Sequence, residues 1–117
     1  MAELTLRGYN ATITFGNTKA IDLLVEYEGN TVMIQVKGIQ RSKSICWNVS
    51  ESTLRTGLLF VFVNLHVDTM QPPEYFIMTN EEVDEHLKRT KSGRNYIDYN
   101  FMKRLGTQDR WEKVGKL

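Results

Sequence analysis

Apolar residues fall in short runs along this chain, and most of the runs alternate with polar positions. Residues 10–15, NATITF, alternate and are rich in β-branched side chains, which predicts a short strand. Residues 20–28 and 31–37 read the same way. They flank Gly29-Asn30, the signal of a hairpin with a two-residue loop. Residues 44–49 are a further short strand. The run LLFVFVNL, 58–65, is apolar on both faces and predicts a buried central strand, with EYFIMT, 74–79, as its neighbour. Residues 1–7 read as the tail of a helix that Gly8 ends. Thr79 or Asn80 is placed to cap a second helix, with Glu81 and Glu82 in its first turn. That helix is expected to end near Gly93, with Lys88, Arg89 and Lys91 in its last turns. Residues 97–105 and 108–114 predict short helical pieces. A helix, four or five strands and then helices fit an α/β domain whose mixed sheet carries helices on its faces.

The hairpin has consequences for side chains. With Gly29-Asn30 as the loop, Leu24 faces Gln35, Leu23 faces Val36 and Asp22 faces Lys37. Ile21, Leu23, Val25, Tyr27, Val32, Ile34 and Val36 then share the core face, and Asp22, Leu24, Glu26, Met33, Gln35 and Lys37 share the other. Asp22, Gln35 and Lys37 converge at the end away from the turn, within about 5–8 Å at the side-chain base. A solvated ribbon with an Asp22–Lys37 ion pair, contributing under ~1 kcal/mol, satisfies this pattern. So does a built site.

Composition narrows the classes. The 117 residues suit one domain, 1–117, and 41% apolar with 25% charged residues is ordinary globular usage. A single cysteine, Cys46, excludes an internal disulfide and a multi-cysteine zinc site. No apolar run reaches the ~18–20 residues a membrane helix needs. The start, MAELTLRGYN, lacks a secretion pattern, so a cytoplasmic protein without a membrane partner is expected. Net charge is +1, so a nucleic acid would have to be held by a local basic patch. Trp47 and Trp111 read as core residues, His66 as structural, and Cys46 has no evident catalytic partner.

Asp22, the hairpin and Gln35-Val36-Lys37 together resemble the PD-(D/E)XK nuclease superfamily, whose fold is restriction-endonuclease-like. Its signature is an acid early in one strand, a hairpin, and (Glu/Asp/Gln)-x-Lys in the next strand. The run LRGYNATITFGNTKAIDLLVEYEGNTVMIQVKG is similar to small prokaryotic endonuclease-like proteins, and LLFVFVNL, PEYFIMT and RWEKV suit them too. The resemblance implies a mixed central sheet of four to five strands flanked by helices, and metal-dependent hydrolysis of DNA. It implies Asp22, Gln35 and Lys37 as catalytic residues. It departs from the commonest pattern in carrying Gln35 where an acid is usual. An acid from the preceding helix is also usual, and Glu3 is the one available, the helix being short at its start.

The chemistry follows from the residue types. Mg²⁺, or Mn²⁺ in its place, takes oxygen ligands: Asp22, the Gln35 amide, the Val36 backbone carbonyl and Glu3. Lys37 would position a water and oppose charge on the phosphate. Replacing an acid by Gln35 removes one negative charge, which predicts weaker metal binding. Lys19, Gln40, Arg41 and Lys43 are the expected DNA-backbone contacts, and HLKRTKSGR, 86–94, is a second basic run that also reads as a charged helix end. The rival reading is a nuclease-fold module that binds DNA or a protein without cutting. A homodimer through apolar sheet edges is a further expectation.

Overall fold

The computed structural model describes residues 4, 10–13, 23–27, 29–39, 46–54, 56–66, 71–92 and 94–116. Its strands are β1 (Asn10–Ile13), β2 (Leu23–Tyr27), β3 (Asn30–Ile39), β4 (Cys46–Asn48), β5 (Leu58–Asn64), β6 (Glu74–Thr79) and β7 (Tyr96–Asp98). Helices α1 (Asn80–His86) and α2 (Tyr99–Arg104) follow β6 and β7, and short 3₁₀ helices cover Glu51–Thr53 and Trp111–Lys116. Five strands form one sheet in the order β1-β2-β3-β5-β6, while β4 and β7 make a separate antiparallel ribbon. The β3–β5 pair is parallel and its neighbours are antiparallel, so the sheet is mixed as the sequence predicts.

Two apolar layers hold the sheet. One face packs Leu23, Val25, Val32, Ile34, Leu59, Val61, Val63 and Ile77 against Leu4, Trp111 and Val114. The other packs Leu58, Phe60, Phe62, Phe76 and Met78 against Trp47 and Ile97 of the ribbon and against Val83, Leu87 and Met102. Every residue of β5 is buried, which accounts for its uninterrupted apolar run. Both tryptophans are core residues, as expected.

The hairpin register differs from the expected one by two residues. Leu24 faces Met33, Leu23 faces Ile34 and Tyr27 faces Asn30, in place of the Leu24–Gln35 and Leu23–Val36 pairs. Gly29 has φ +82, so the left-handed turn position falls on glycine and Asn30 becomes the first residue of β3. A shift of two preserves the faces, so the division of side chains between them survives.

The helix beginning at Asn80 is shorter than expected. Thr79 caps it through a reciprocal pair of bonds with Glu82. It stops at His86 because Leu87 turns extended, with ψ 127, and Lys88 pairs with Tyr96 instead of continuing the helix. The expected helix over 97–105 likewise begins as β7, since Ile97 and Asp98 pair with Trp47 and Cys46.

Glu82 also accepts from Lys113 Nζ at 2.9 Å. Burial pushes its carboxyl up, but the Thr79 N–H and Lys113 hold it below the usual 4.5 overall. A depressed folded value stabilises above the unfolded one and is lost as pH falls through it. Glu82→Gln is therefore expected to lower the urea midpoint at neutral pH. The gap from the native chain should shrink as pH falls from 4.5 through the lower folded value, beneath which both states bind the proton.

Candidate active site

Gln35 and Lys37 project from β3 on the face that carries Phe60 and Phe62. The parallel register sets Gln35 beside Phe60, Val36 beside Val61 and Lys37 beside Phe62. This face is not the solvated ribbon that alternation allows. Gln35 is 6% exposed, whereas Val36, assigned to the core face, is 36% exposed. Gln35 lies on the face where Trp47 and Ile97 pack with Phe60 and Phe62, and Val36 is not part of the opposite apolar layer.

The Gln35 Oε1 atom is buried and has no hydrogen-bond partner among the described residues. A buried amide oxygen left unpaired costs about 1–3 kcal/mol, and Asn64 Nδ2 and Thr107 Oγ1 are on the same footing. A neutral oxygen suits a hard cation such as Mg²⁺. Among the described residues, no group of three or more His, Cys, Asp or Glu side chains is placed to hold a metal. Glu3, Lys19, Asp22, Gln40, Arg41 and Lys43 lie outside the described residues, and so does the expected Asp22–Lys37 pairing.

Lys37 is partly exposed and lines a pocket of about 390 Å³ with Asn48, Val49, Ser50, Arg94 and Asn95. The β4–β7 ribbon brings these residues to Lys37 from two distant parts of the sequence. Asn48 ends β4, and Val49 N donates to Asn95 O at 3.0 Å, which ties the two segments together. Trp47 anchors the ribbon on the sheet: its ring lies 5.5 Å from Phe62, and its Nε1 donates to Val63 O at 3.2 Å. Sequence reasoning noted Arg94 within a basic run, but only this pairing places it beside Lys37.

A second polar cluster stands at the C-terminal end of β5, just beyond Phe62, the partner of Lys37. Glu74 accepts from the Tyr99 hydroxyl and pairs with His66. Burial raises the Glu74 carboxyl, but Tyr99 and His66 lower it further, to a net position below its usual value. Burial first, and then the Glu74 carboxylate, push the Tyr99 hydroxyl up to about 12. His66 is thus held inside a network of side chains, in keeping with its expected structural role.

The chain compares with known proteins through its fold. The fold resembles that of a bacterial homing endonuclease. That protein, I-Ssp6803I, superposes with a TM-score of 0.66 over 97% of this chain and 80% of its own, at 12% identity. No family model matches the sequence, and no curated protein matches it. The likeness is therefore one of architecture: a nuclease-like α/β fold in which β3 carries Gln35 and Lys37. No helix among the described residues is long and apolar enough to cross a membrane.

Proposed function

We propose that this protein is a metal-dependent DNA endonuclease of the PD-(D/E)XK type. One juxtaposition carries the reading. A buried amide oxygen without a partner among the described residues, Gln35 Oε1, precedes by two residues a lysine on the same strand face, in a fold like that of a homing endonuclease.

The residues fit a magnesium or manganese ion. Gln35 would offer its amide oxygen, and Asp22, which precedes Leu23 in the chain, would supply the charged ligand. Glu3 and the Val36 carbonyl are the remaining candidates. When bound, the ion would supply charge stabilisation for the phosphate and an activated water. Lys37 would hold that water by hydrogen bonding and oppose negative charge as it develops on the phosphate. The apolar wall of Phe60 and Phe62 would restrict water around both groups, which strengthens such interactions. Lys19, Gln40, Arg41 and Lys43 would follow the DNA backbone.

The test is a cleavage assay with plasmid and branched DNA in Mg²⁺ or Mn²⁺, with EDTA as the control. Cleavage that EDTA stops, and that Gln35→Leu lowers by at least tenfold, is the expected result. Intact DNA after long incubation with either ion would sink the nuclease reading. If DNA binding persisted in EDTA, the binding-module reading would replace it.

A further inference from the structure

We propose that the pocket between β3 and the β4–β7 ribbon binds a backbone phosphate of duplex DNA, with Arg94 as its principal ligand beside Lys37. The inference rests on the nuclease reading and adds the residue that seats the substrate.

The lining decides the charge of the occupant. Lys37 and Arg94 contribute two cations, Asn48, Ser50 and Asn95 contribute neutral polar groups, and among the described residues no carboxylate lines the pocket. The whole chain has a net charge of only +1, so this concentration is local. A volume of about 390 Å³ is many times the ~30 Å³ share of one water. It admits a phosphodiester with parts of its flanking sugars.

Most of the other described cations are engaged elsewhere, and Lys91, which has no carboxylate or ring partner among the described residues, lies outside the pocket. Arg89 pairs with Glu51 and Asp84, Arg110 lies 3.7 Å from Glu112, and Lys113 bonds Glu82. Lys88, Lys103 and Arg104 stand over aromatic rings at 5.9, 5.2 and 6.0 Å. Lys37 and Arg94 have neither a carboxylate nor a ring as partner among the described residues. Their charge is available to a ligand.

The backbone under Arg94 is held on both sides. Thr90 Oγ1 donates to Arg94 O at 3.0 Å, and Thr90 N donates to Asn95 Oδ1 at 3.3 Å. Asn95 is 5% exposed, and its carbonyl receives the Val49 N–H. The guanidinium therefore starts from a fixed base, so less ordering remains to oppose binding. Its planar fork suits two phosphate oxygens at once. Because Lys37 borders both this pocket and Gln35, the phosphate seated here belongs beside the bond to be cut.

The test is fluorescence anisotropy of a labelled DNA duplex with the full chain in EDTA, over a series of salt concentrations. Arg94→Ala is compared with Arg94→Lys and with Arg110→Ala, a cation removed elsewhere. Arg94→Ala should weaken binding roughly tenfold. It should also reduce the slope of log affinity against log salt by about 0.9, the value for one phosphate contact. Arg94→Lys should restore the slope and only part of the affinity, and Arg110→Ala should change neither. Unchanged binding in Arg94→Ala overturns the assignment, and metal-dependent cleavage by the native chain would then leave the nuclease reading standing. Equal weakening by Arg94→Ala and Arg110→Ala also overturns it, since overall charge would explain both. A native chain that neither binds nor cuts DNA removes both proposals together.

Discussion

Lys37→Met is expected to lower single-turnover DNA cleavage by about 10²–10⁴-fold, the usual contribution of a positioned proton-transfer or charge-stabilising group. Methionine keeps most of the aliphatic stem and removes only the ammonium, so the thermal midpoint should hardly move. Lys37 is partly exposed at its position beside Phe62, which tolerates that exchange. Binding in EDTA should weaken much less than turnover, because one of several phosphate contacts is lost. A variant that cleaves at the native rate would remove Lys37 from the chemistry.

The largest effect on stability is expected at Phe62. It is fully buried, stacks 5.8 Å from Phe60 at an interplanar angle of 7°, and packs against Trp47. Phe62→Ala should cost about 3–5 kcal/mol through lost burial and a residual cavity. A native domain of this size typically has only about 5–15 kcal/mol in reserve. Urea unfolding followed by circular dichroism should show a much lower midpoint at an unchanged slope. Phe62→Leu should recover most of the loss. An alanine variant within about 1 kcal/mol of the native chain would show that the layer beneath Trp47 contributes little.

The strands were legible because their apolar pattern is local. The buried run 58–64 and the alternating run 23–39 required no knowledge of distant contacts. The polar face of β3 was legible for the same reason: Gln35 and Lys37 must share a side whichever loop residue begins the strand. What alternation could not supply was the environment of that face. It is covered by a ribbon formed from residues 46–48 and 96–98, which lie far apart in the chain. The meeting of Arg94 with Lys37 follows from that one non-local pairing, and the packing of Trp47 and Ile97 on the Phe60 and Phe62 face goes with it. The register shift has a smaller cause. Gly29 and Asn30 both tolerate left-handed backbone, and the turn used the glycine one step earlier. The stop at His86 belongs with the ribbon too, since Lys88 leaves the helix to meet Tyr96.

The connection between β3 and β5 has a consequence for how the molecule assembles. Met33 pairs with Leu58, and the chain between these parallel strands carries Trp47, Asn48 and Ser50. The linker that must close before the sheet is complete is also one wall of the pocket. An open chain offers no such cavity, so the proposed anion seat exists only once this loop has closed and β7 has paired with β4. Whatever occupies that seat will lend its binding free energy to the closed state alone, as RT ln(1 + [L]/Kd).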